Sequence, residues 1–227
     1  TDLHPNLVRE LATYLRGRSA ACIYLGVKSR SRIVHIGVPQ GSVLSPALFN
    51  FFVSDFPVAI QDKTSFADDF SIAASGPNLK VINKILNEDM RNIAAWATRK
   101  RLRISPEKSQ AIYFTPHNKE FKDKPEIYYE GSLIPVDTTI KILGIIFDTM
   151  HTFTPHAKAR KAKGSKRVPL LKAVMGAGWG LKKEDGLTAF KAFISPVLGY
   201  GGPIFYPPRS KLKNPVGDLQ KVQNNAL

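Results

Sequence analysis

Thr64-Ser65-Phe66-Ala67-Asp68-Asp69-Phe70-Ser71-Ile72-Ala73 sets two adjacent carboxylates between two short strand-like runs, 64–67 and 70–73. The gap is the length of a two-residue hairpin connection. Turns commonly recruit Asp for hydrogen bonds to their own backbone, so taken alone Asp68-Asp69 is a polar turn. The same geometry also holds two acids rigidly at a sheet edge, where they can ligate Mg²⁺ that in turn binds a nucleoside triphosphate. A two-metal phosphoryl-transfer site places its ions roughly 3.5–4 Å apart and normally draws a further carboxylate from a neighbouring strand. No obvious donor precedes this pair.

Upstream, Gly37-Val38-Pro39-Gln40-Gly41-Ser42 is a turn with little side-chain bulk, in which Gln40 supplies paired donor and acceptor groups to anything that approaches. It lacks the Lys and the spacing of a phosphate-binding P-loop, and an ordinary strand-to-helix connection accounts for it equally well. Ser45-Pro46 reads as an N-cap followed by Pro at the first helical position, with the helix continuing to residue 55. Leu3, Leu7, Leu11 and Leu15 recur every four residues, with Pro5 and Gly17 as start and stop, predicting a helix over 4–16. Ile23-Tyr24-Leu25 and Ile33-Val34-His35-Ile36 flank Gly26-Val27-Lys28-Ser29-Arg30, a hairpin pattern.

Downstream, helical spacing of Leu79, Ile82, Ile85, Leu86, Met90, Ile93, Ala94 and Ala97 predicts a long helix over 78–100. Strands are expected at 109–114, 126–130 and 140–147. Helices follow at 156–175 and 184–199, broken by Gly176-Ala177-Gly178-Trp179-Gly180. Pro203, Pro207 and Pro208 then open a loop before an amphipathic piece at 216–227. The fold class is α+β, followed by an all-helical region.

The 227 residues include 33 Lys and Arg against 18 Asp and Glu, a formal charge of +15 that suits a polyanionic partner, nucleic acid first. Residues 1–150 hold 19 basic and 15 acidic side chains, while 151–227 hold 14 and 3, so we place a domain boundary after residue 150. The charge concentrates in Lys158, Arg160, Lys161, Lys163, Lys166 and Arg167. These are either a solvated helix face or cations awaiting a phosphate backbone. The lone Cys22 excludes an internal disulfide and a Cys-rich zinc site and points to a reducing compartment. No apolar run reaches the roughly 20 residues that span a bilayer. His4, His35, His117, His151 and His156 lack zinc-site spacing, and no serine stands in a hydrolase elbow.

The order Gly37-Val38-Pro39-Gln40-Gly41-Ser42-Val43-Leu44-Ser45-Pro46-Ala47-Leu48-Phe49-Asn50, then Phe66-Ala67-Asp68-Asp69, resembles the palm of reverse transcriptases from non-LTR, Jockey-like retrotransposons. Trp96 and Leu102-Arg103-Ile104-Ser105-Pro106-Glu107-Lys108-Ser109 look like the family's next palm motif, and Ile142-Leu143-Gly144-Ile145 like its primer grip. Trp179-Gly180 and Tyr200-Gly201 are similar to its thumb region.

The resemblance implies RNA-directed DNA polymerisation, in which a primer 3′-hydroxyl attacks the α-phosphate of a dNTP, with Asp68 and Asp69 holding Mg²⁺, or Mn²⁺ in its place. It implies a palm of antiparallel sheet and packed helices over 1–150 and a basic thumb-like region over 151–227. Gln40 and Gly41 would line the pocket for the dNTP and its template base, Lys108 would stand near the leaving pyrophosphate, and Leu143 and Gly144 would seat the primer. Without the family order, Lys108 reads as a surface lysine. Partners implied are an RNA template, a DNA primer, dNTPs and the rest of a parent polyprotein carrying fingers and an endonuclease, in the cytoplasm and nucleus and without a membrane partner. The family's other metal-binding Asp lies upstream of the helix that begins here near His4, and Asp2 does not match its setting. The chain is therefore expected to be truncated at both ends, to bind nucleic acid, and to lack turnover by itself. The alternative is a non-catalytic RNA- or DNA-binding remnant of such an enzyme.

Overall fold

In the computed structural model, α1 (Pro5–Leu15) starts as the sequence predicts: His4 Nδ1 accepts from the Asn6 N–H at 3.3 Å, and Pro5 supplies no orphan donor. The structure describes residues 3–59, 62–117, 120, 123–175, 179–205 and 213–226. They divide into two units, Thr1–Ala73 and Ala74–Leu227.

In the first unit, β1 (Ser19–Ala20) pairs with β4 (Arg32–Ile33), and β2 (Ile23–Tyr24) with β3 (Val27–Lys28). The turn is Leu25-Gly26, both with positive φ, rather than the five-residue loop expected from Gly26 onward. A two-residue turn of that hand matches strand twist and frees Val27 and Lys28 to pair. α2 (Ser45–Phe52) begins one residue earlier than an N-cap at Ser45 would place it and stops short of residue 55. The Ser45 hydroxyl donates to the Pro39 carbonyl, so it fastens the preceding loop instead of capping the helix. β5 (Lys63–Phe66) and β6 (Asp69–Ile72) form the central hairpin. Phe70 on β6 stacks on Phe56 with ring centroids 4.6 Å apart, and Lys63 Nζ donates to the Phe56 carbonyl at 3.0 Å. Val53, Phe56 and Val58 are the buried apolar residues around this contact.

The second unit opens with α3 (Leu79–Lys100), capped by the Asn78 side chain, which accepts from the Val81 N–H at 3.0 Å. Ile93, Trp96 and Ala97 are buried on one face. Asn87 joins this helix to β7 (Tyr128–Tyr129): its Nδ2 donates to the Glu126 carbonyl at 2.7 Å, and its Oδ1 accepts from the Tyr128 N–H at 2.8 Å. β7 pairs with β8 (Ser132–Leu133), and β9 (Thr139–Ile142) with β10 (Ile145–Asp148). The strand expected at 109–114 reduces to an isolated bridge between Ala111 and Val136. Ala111 donates to the Pro135 carbonyl at 2.9 Å and accepts from the Asp137 N–H at 3.1 Å, but Pro135 has no N–H with which to extend the ladder back toward residue 109. Among the described residues the strands form two-stranded antiparallel ribbons rather than one continuous sheet.

The helix expected over 156–175 is two, α4 (Thr154–Ser165) and α5 (Val168–Ala173), because Pro169 lies in the first turn of α5 and cannot continue the ladder of α4. Pro196 divides 184–199 in the same way into α6 (Lys183–Phe193) and α7 (Ser195–Leu198). α8 (Gly202–Phe205) and α9 (Lys213–Ala226) follow. The Gly176-Ala177-Gly178 break and the Pro207-Pro208 loop lie outside the described residues. Val168, Leu171, Phe190, Ile194, Leu198 and Val222 form the core of this region. Asp148 closes the turn from β10 into α4, its two oxygens accepting from the Thr152 and Phe153 N–H groups at 2.9 and 2.7 Å. β10 and α4 are in contact across residue 150, where the charge density changes.

Candidate functional site

The β5–β6 register pairs Phe66 with Asp69, so the two-residue tip is Ala67-Asp68 and not Asp68-Asp69 as expected. Asp69 opens β6 and, by strand alternation, faces away from the side on which Phe70 packs against Phe56. Leu25-Gly26, Glu130-Gly131 and Leu143-Gly144 close other ribbons with positive φ at both residues; here Ala67 alone is left-handed, at φ +53, and Asp68 occupies the place of the glycine. Both carboxylates are exposed. Neither makes a hydrogen bond or ion pair to another described residue.

Gln40 and Gly41 lie on the loop before α2, in the same unit as the two acids. Gly41 has φ +83, and a Cβ there would meet nothing within 4 Å, so backbone conformation rather than crowding calls for glycine. The loop is fastened on both sides of an exposed Gln40: Tyr14 of α1 donates to the Ser42 hydroxyl, and Arg18 Nη2 donates to the Gly37 carbonyl at 2.6 Å.

The remaining expected residues belong to the second unit. Lys108 ends a short 3-10 turn, Pro106–Lys108, and is exposed. Beside it, the Ser105 hydroxyl donates to Glu107 at 2.7 Å and holds that carboxyl below its ordinary range. Leu143 and Gly144 form the β9–β10 tip, and the Tyr200 hydroxyl donates to the Leu143 carbonyl at 2.6 Å.

The basic run does not present one face. His156, Arg160 and Gly164 make a buried stripe at four-residue spacing along α4, whereas Lys158, Lys163, Lys166 and Arg167 are exposed and Lys161 is half-buried. Arg160, expected among the solvent-facing cations, is 8% exposed, with its guanidinium 5.2 Å from the centroid of the Tyr200 ring. Arg167 is exposed, but its Nη1 donates to the Phe193 carbonyl. A Cβ at Gly164 would collide with Leu198, which shows how closely α7 approaches α4 and why the stripe turns inward. His156 and Tyr200 are the residues that charge and spacing did not bring together. Tyr200-Gly201 stood out as a motif, but nothing local linked it to α4. Among the described residues, no three His, Cys, Asp or Glu side chains gather as a metal cluster.

The carboxylate-tipped ribbon and the glycine-bearing loop before α2 lie within residues 7–147, which match the family described as reverse transcriptase (RNA-dependent DNA polymerase), over more than half of the chain. The chain belongs to that family. More particularly, it is similar to polymerases of non-LTR retrotransposons. It is 25% identical over 210 residues to the RNA-directed DNA polymerase from mobile element jockey of Drosophila funebris, covering 87% of this chain and 22% of that protein. To the probable RNA-directed DNA polymerase from transposon BS of Drosophila melanogaster it is 28% identical over 232 residues, 96% of this chain and 24% of that one. A retrovirus-related Pol polyprotein from the type-1 retrotransposable element R1 2 of Nasonia vitripennis is 25% identical over 179 residues, 75% and 43% of the two chains. This chain thus spans less than a quarter of the length of the jockey and BS proteins. No solved structure matches it significantly.

Proposed function

We propose that this chain contributes the nucleotidyl-transfer core of an RNA-directed DNA polymerase of retrotransposon origin, with a palm over 1–150 and a basic thumb-like region over 151–227. The observation that carries this reading is the exposed Asp68-Asp69 pair, with no competing protein cation among the described residues, on a ribbon inside the family-matched segment. Magnesium accepts one or two carboxylates together with phosphate oxygens and water, so the donor set fits it. Asp68 and Asp69 would hold Mg²⁺ or Mn²⁺, which when bound neutralises charge developing on the phosphoryl group.

The other roles are assigned residue by residue. Gln40 offers its amide to the template base or incoming dNTP beside Gly41. Leu143 and Gly144 seat the primer terminus, whose 3′-hydroxyl attacks the α-phosphate. Lys108 donates a proton to the departing pyrophosphate. The exposed Lys158, Lys163, Lys166 and Arg167 bind template or primer phosphates, joined by Lys161 where its half-buried stem allows, while the buried Arg160, against the Tyr200 ring, takes no part in phosphate binding. Such catalysis is chiefly positioning and charge neutralisation. The setting is a longer polyprotein acting in cytoplasm and nucleus. No helix among the described residues is long and apolar enough to cross a membrane.

The test is Mn²⁺ binding followed by electron paramagnetic resonance, with and without dNTP, in the chain and in Asp68→Asn and Asp69→Asn. We expect dNTP-enhanced Mn²⁺ binding that each substitution removes. Equal binding in all three proteins would refute the metal assignment. Primer extension by these 227 residues alone is expected to fail, because two carboxylates fall short of the set a two-metal site normally uses.

A further inference from the structure

The β9–β10 tip is held by residues more than fifty positions further along the chain. The Tyr200 hydroxyl donates to the Leu143 carbonyl at 2.6 Å, across 57 positions. A Cβ at Gly144 would lie 3.1 Å from that hydroxyl oxygen, so the tyrosine sits directly against the turn.

Tyr200 is itself fixed from two further directions. Its ring is covered by the Arg160 guanidinium at 5.2 Å, in the geometry of a cation–π contact. Arg160 Nε is buried without a hydrogen-bond partner among the described residues, so desolvation leaves the aromatic face as a principal compensation for this buried cation. The Tyr200 carbonyl lies 2.9 Å from His156 Nε2, while His156 Nδ1 accepts from the Ile146 N–H at 3.2 Å. That acceptor role puts the imidazole proton on Nε2, where it donates to Tyr200. His156 thus ties β10 to the backbone of Tyr200, and Tyr200 ties itself to the turn that begins β10. Gly201 permits the close approach: a Cβ there would lie 3.2 Å from the Ile145 side chain and 3.4 Å from His156 Nε2.

We propose that Tyr200 is a positioning residue for the Leu143-Gly144 tip, holding the ledge on which the primer terminus rests, and that Arg160 and His156 act by fixing Tyr200. This rests on the reading of that tip as the primer seat. Leu143 itself is 47% exposed, so at the tip the directional bond from Tyr200 adds to the packing that the adjoining Ile145 makes against Phe153.

Amide hydrogen exchange in Tyr200→Phe and Arg160→Met, with Tyr128→Phe as control, tests the device without reference to nucleic acid. Loss of one hydrogen bond should speed exchange at residues 143–146 about fivefold in Tyr200→Phe, with other ribbons and the control unchanged. Arg160→Met should move the same amides in the same direction. Unchanged exchange at 143–146 in both variants overturns the proposal. The positioning role is read from a DNA primer with a photoreactive 3′-terminal nucleotide, annealed to an RNA template. In Tyr200→Phe its crosslinking to the tip should fall at least threefold while overall affinity stays within twofold. Crosslinking and affinity falling together would make Tyr200 merely structural and refute the role. If the unaltered chain fails to bind primer–template, it is the polymerase reading that fails, and the exchange result still decides whether Tyr200 holds the tip.

Discussion

Replacing Lys158, Lys163 and Lys166 together by Gln should flatten the salt dependence of primer–template binding, and the two faces of α4 set the size of the effect. These three cations are exposed, whereas Arg160 on the same helix is buried against Tyr200. Each phosphate neutralised contributes a slope of about −0.7 for single strands and about −0.9 for a duplex in log K against log salt. Taking about −0.8 per contact, three lysines carry about 2.4 units of slope. Between about 50 and about 200 mM KCl the unaltered chain should then lose about 28-fold more affinity than the triple variant. Fluorescence anisotropy of a labelled DNA primer on an RNA template, titrated at four salt concentrations, measures it. Arg160→Gln is the internal comparison: removing a buried cation should lower the unfolding midpoint and leave the slope within about half a unit. An unchanged slope in the triple variant with binding intact, or a slope change in Arg160→Gln as large as the triple's, would refute the assignment of faces.

Ala67→Gly should stabilise the first unit by about 0.5–1 kcal/mol in urea denaturation, since relief of roughly 1–2 kcal/mol of left-handed strain exceeds the entropy cost of glycine; no gain would show that the φ of +53 costs nothing here. Gly164→Ala should destabilise the second unit by about 1–2 kcal/mol, because overpacking against Leu198 outweighs the better helix propensity of Ala; an equal or raised denaturation midpoint would contradict the close α4–α7 approach. Glu120 accepts from the Thr115 hydroxyl at 2.8 Å and from the Tyr113 hydroxyl at 3.2 Å, and the first of these bonds holds its carboxyl below the ordinary 4.5. A carboxyl lowered in the folded state stabilises at pH values above its unfolded value and loses that contribution as pH falls through the folded one. The Thr115 amide shift should therefore titrate with a midpoint below 4.5 and lose the transition in Glu120→Gln; a midpoint at or above 4.5 would show the bonds do not favour the ionised form.

Features governed by short-range rules were legible in the sequence. α3 runs within a residue of its periodicity, because eight apolar positions at helical spacing and an Asn cap all favour the same segment. The acid-bearing hairpin was visible too, but its register moved by one residue: a turn can close at Ala67-Asp68 as readily as at Asp68-Asp69, and cross-strand pairing of Phe66 with Asp69 decides between them. The predicted strand at 109–114 has suitable side chains, but its partner segment returns a bond only from the Asp137 N–H, and Pro135 has none with which to extend the ladder toward residue 109. Pro169 and Pro196 divide the two segments expected as continuous helices, each standing in the first turn of a new helix where its missing N–H costs nothing.

The basic helix shows where local reading stops. Charge counts rank Arg160 with its neighbours, since every cation in 156–167 contributes equally to composition, and by composition alone the run is a single surface. Which side of α4 is turned inward depends on partners far along the chain: Leu198 against Gly164, the Tyr200 ring against Arg160, and the Tyr200 carbonyl against His156. None of these partners lies within the few residues over which helical or strand periodicity carries information. The same contacts join the turn at Leu143-Gly144 to the segment at Tyr200-Gly201, two motifs that the sequence presents as unrelated landmarks. Charge density divides the chain by what it meets in solvent, whereas packing divides it by which surfaces exclude water, and the two criteria select different places. Asp68 and Asp69 are exposed, whereas Arg160 and His156 are buried behind Tyr200, whose own ring is 44% exposed and bridges the two sides.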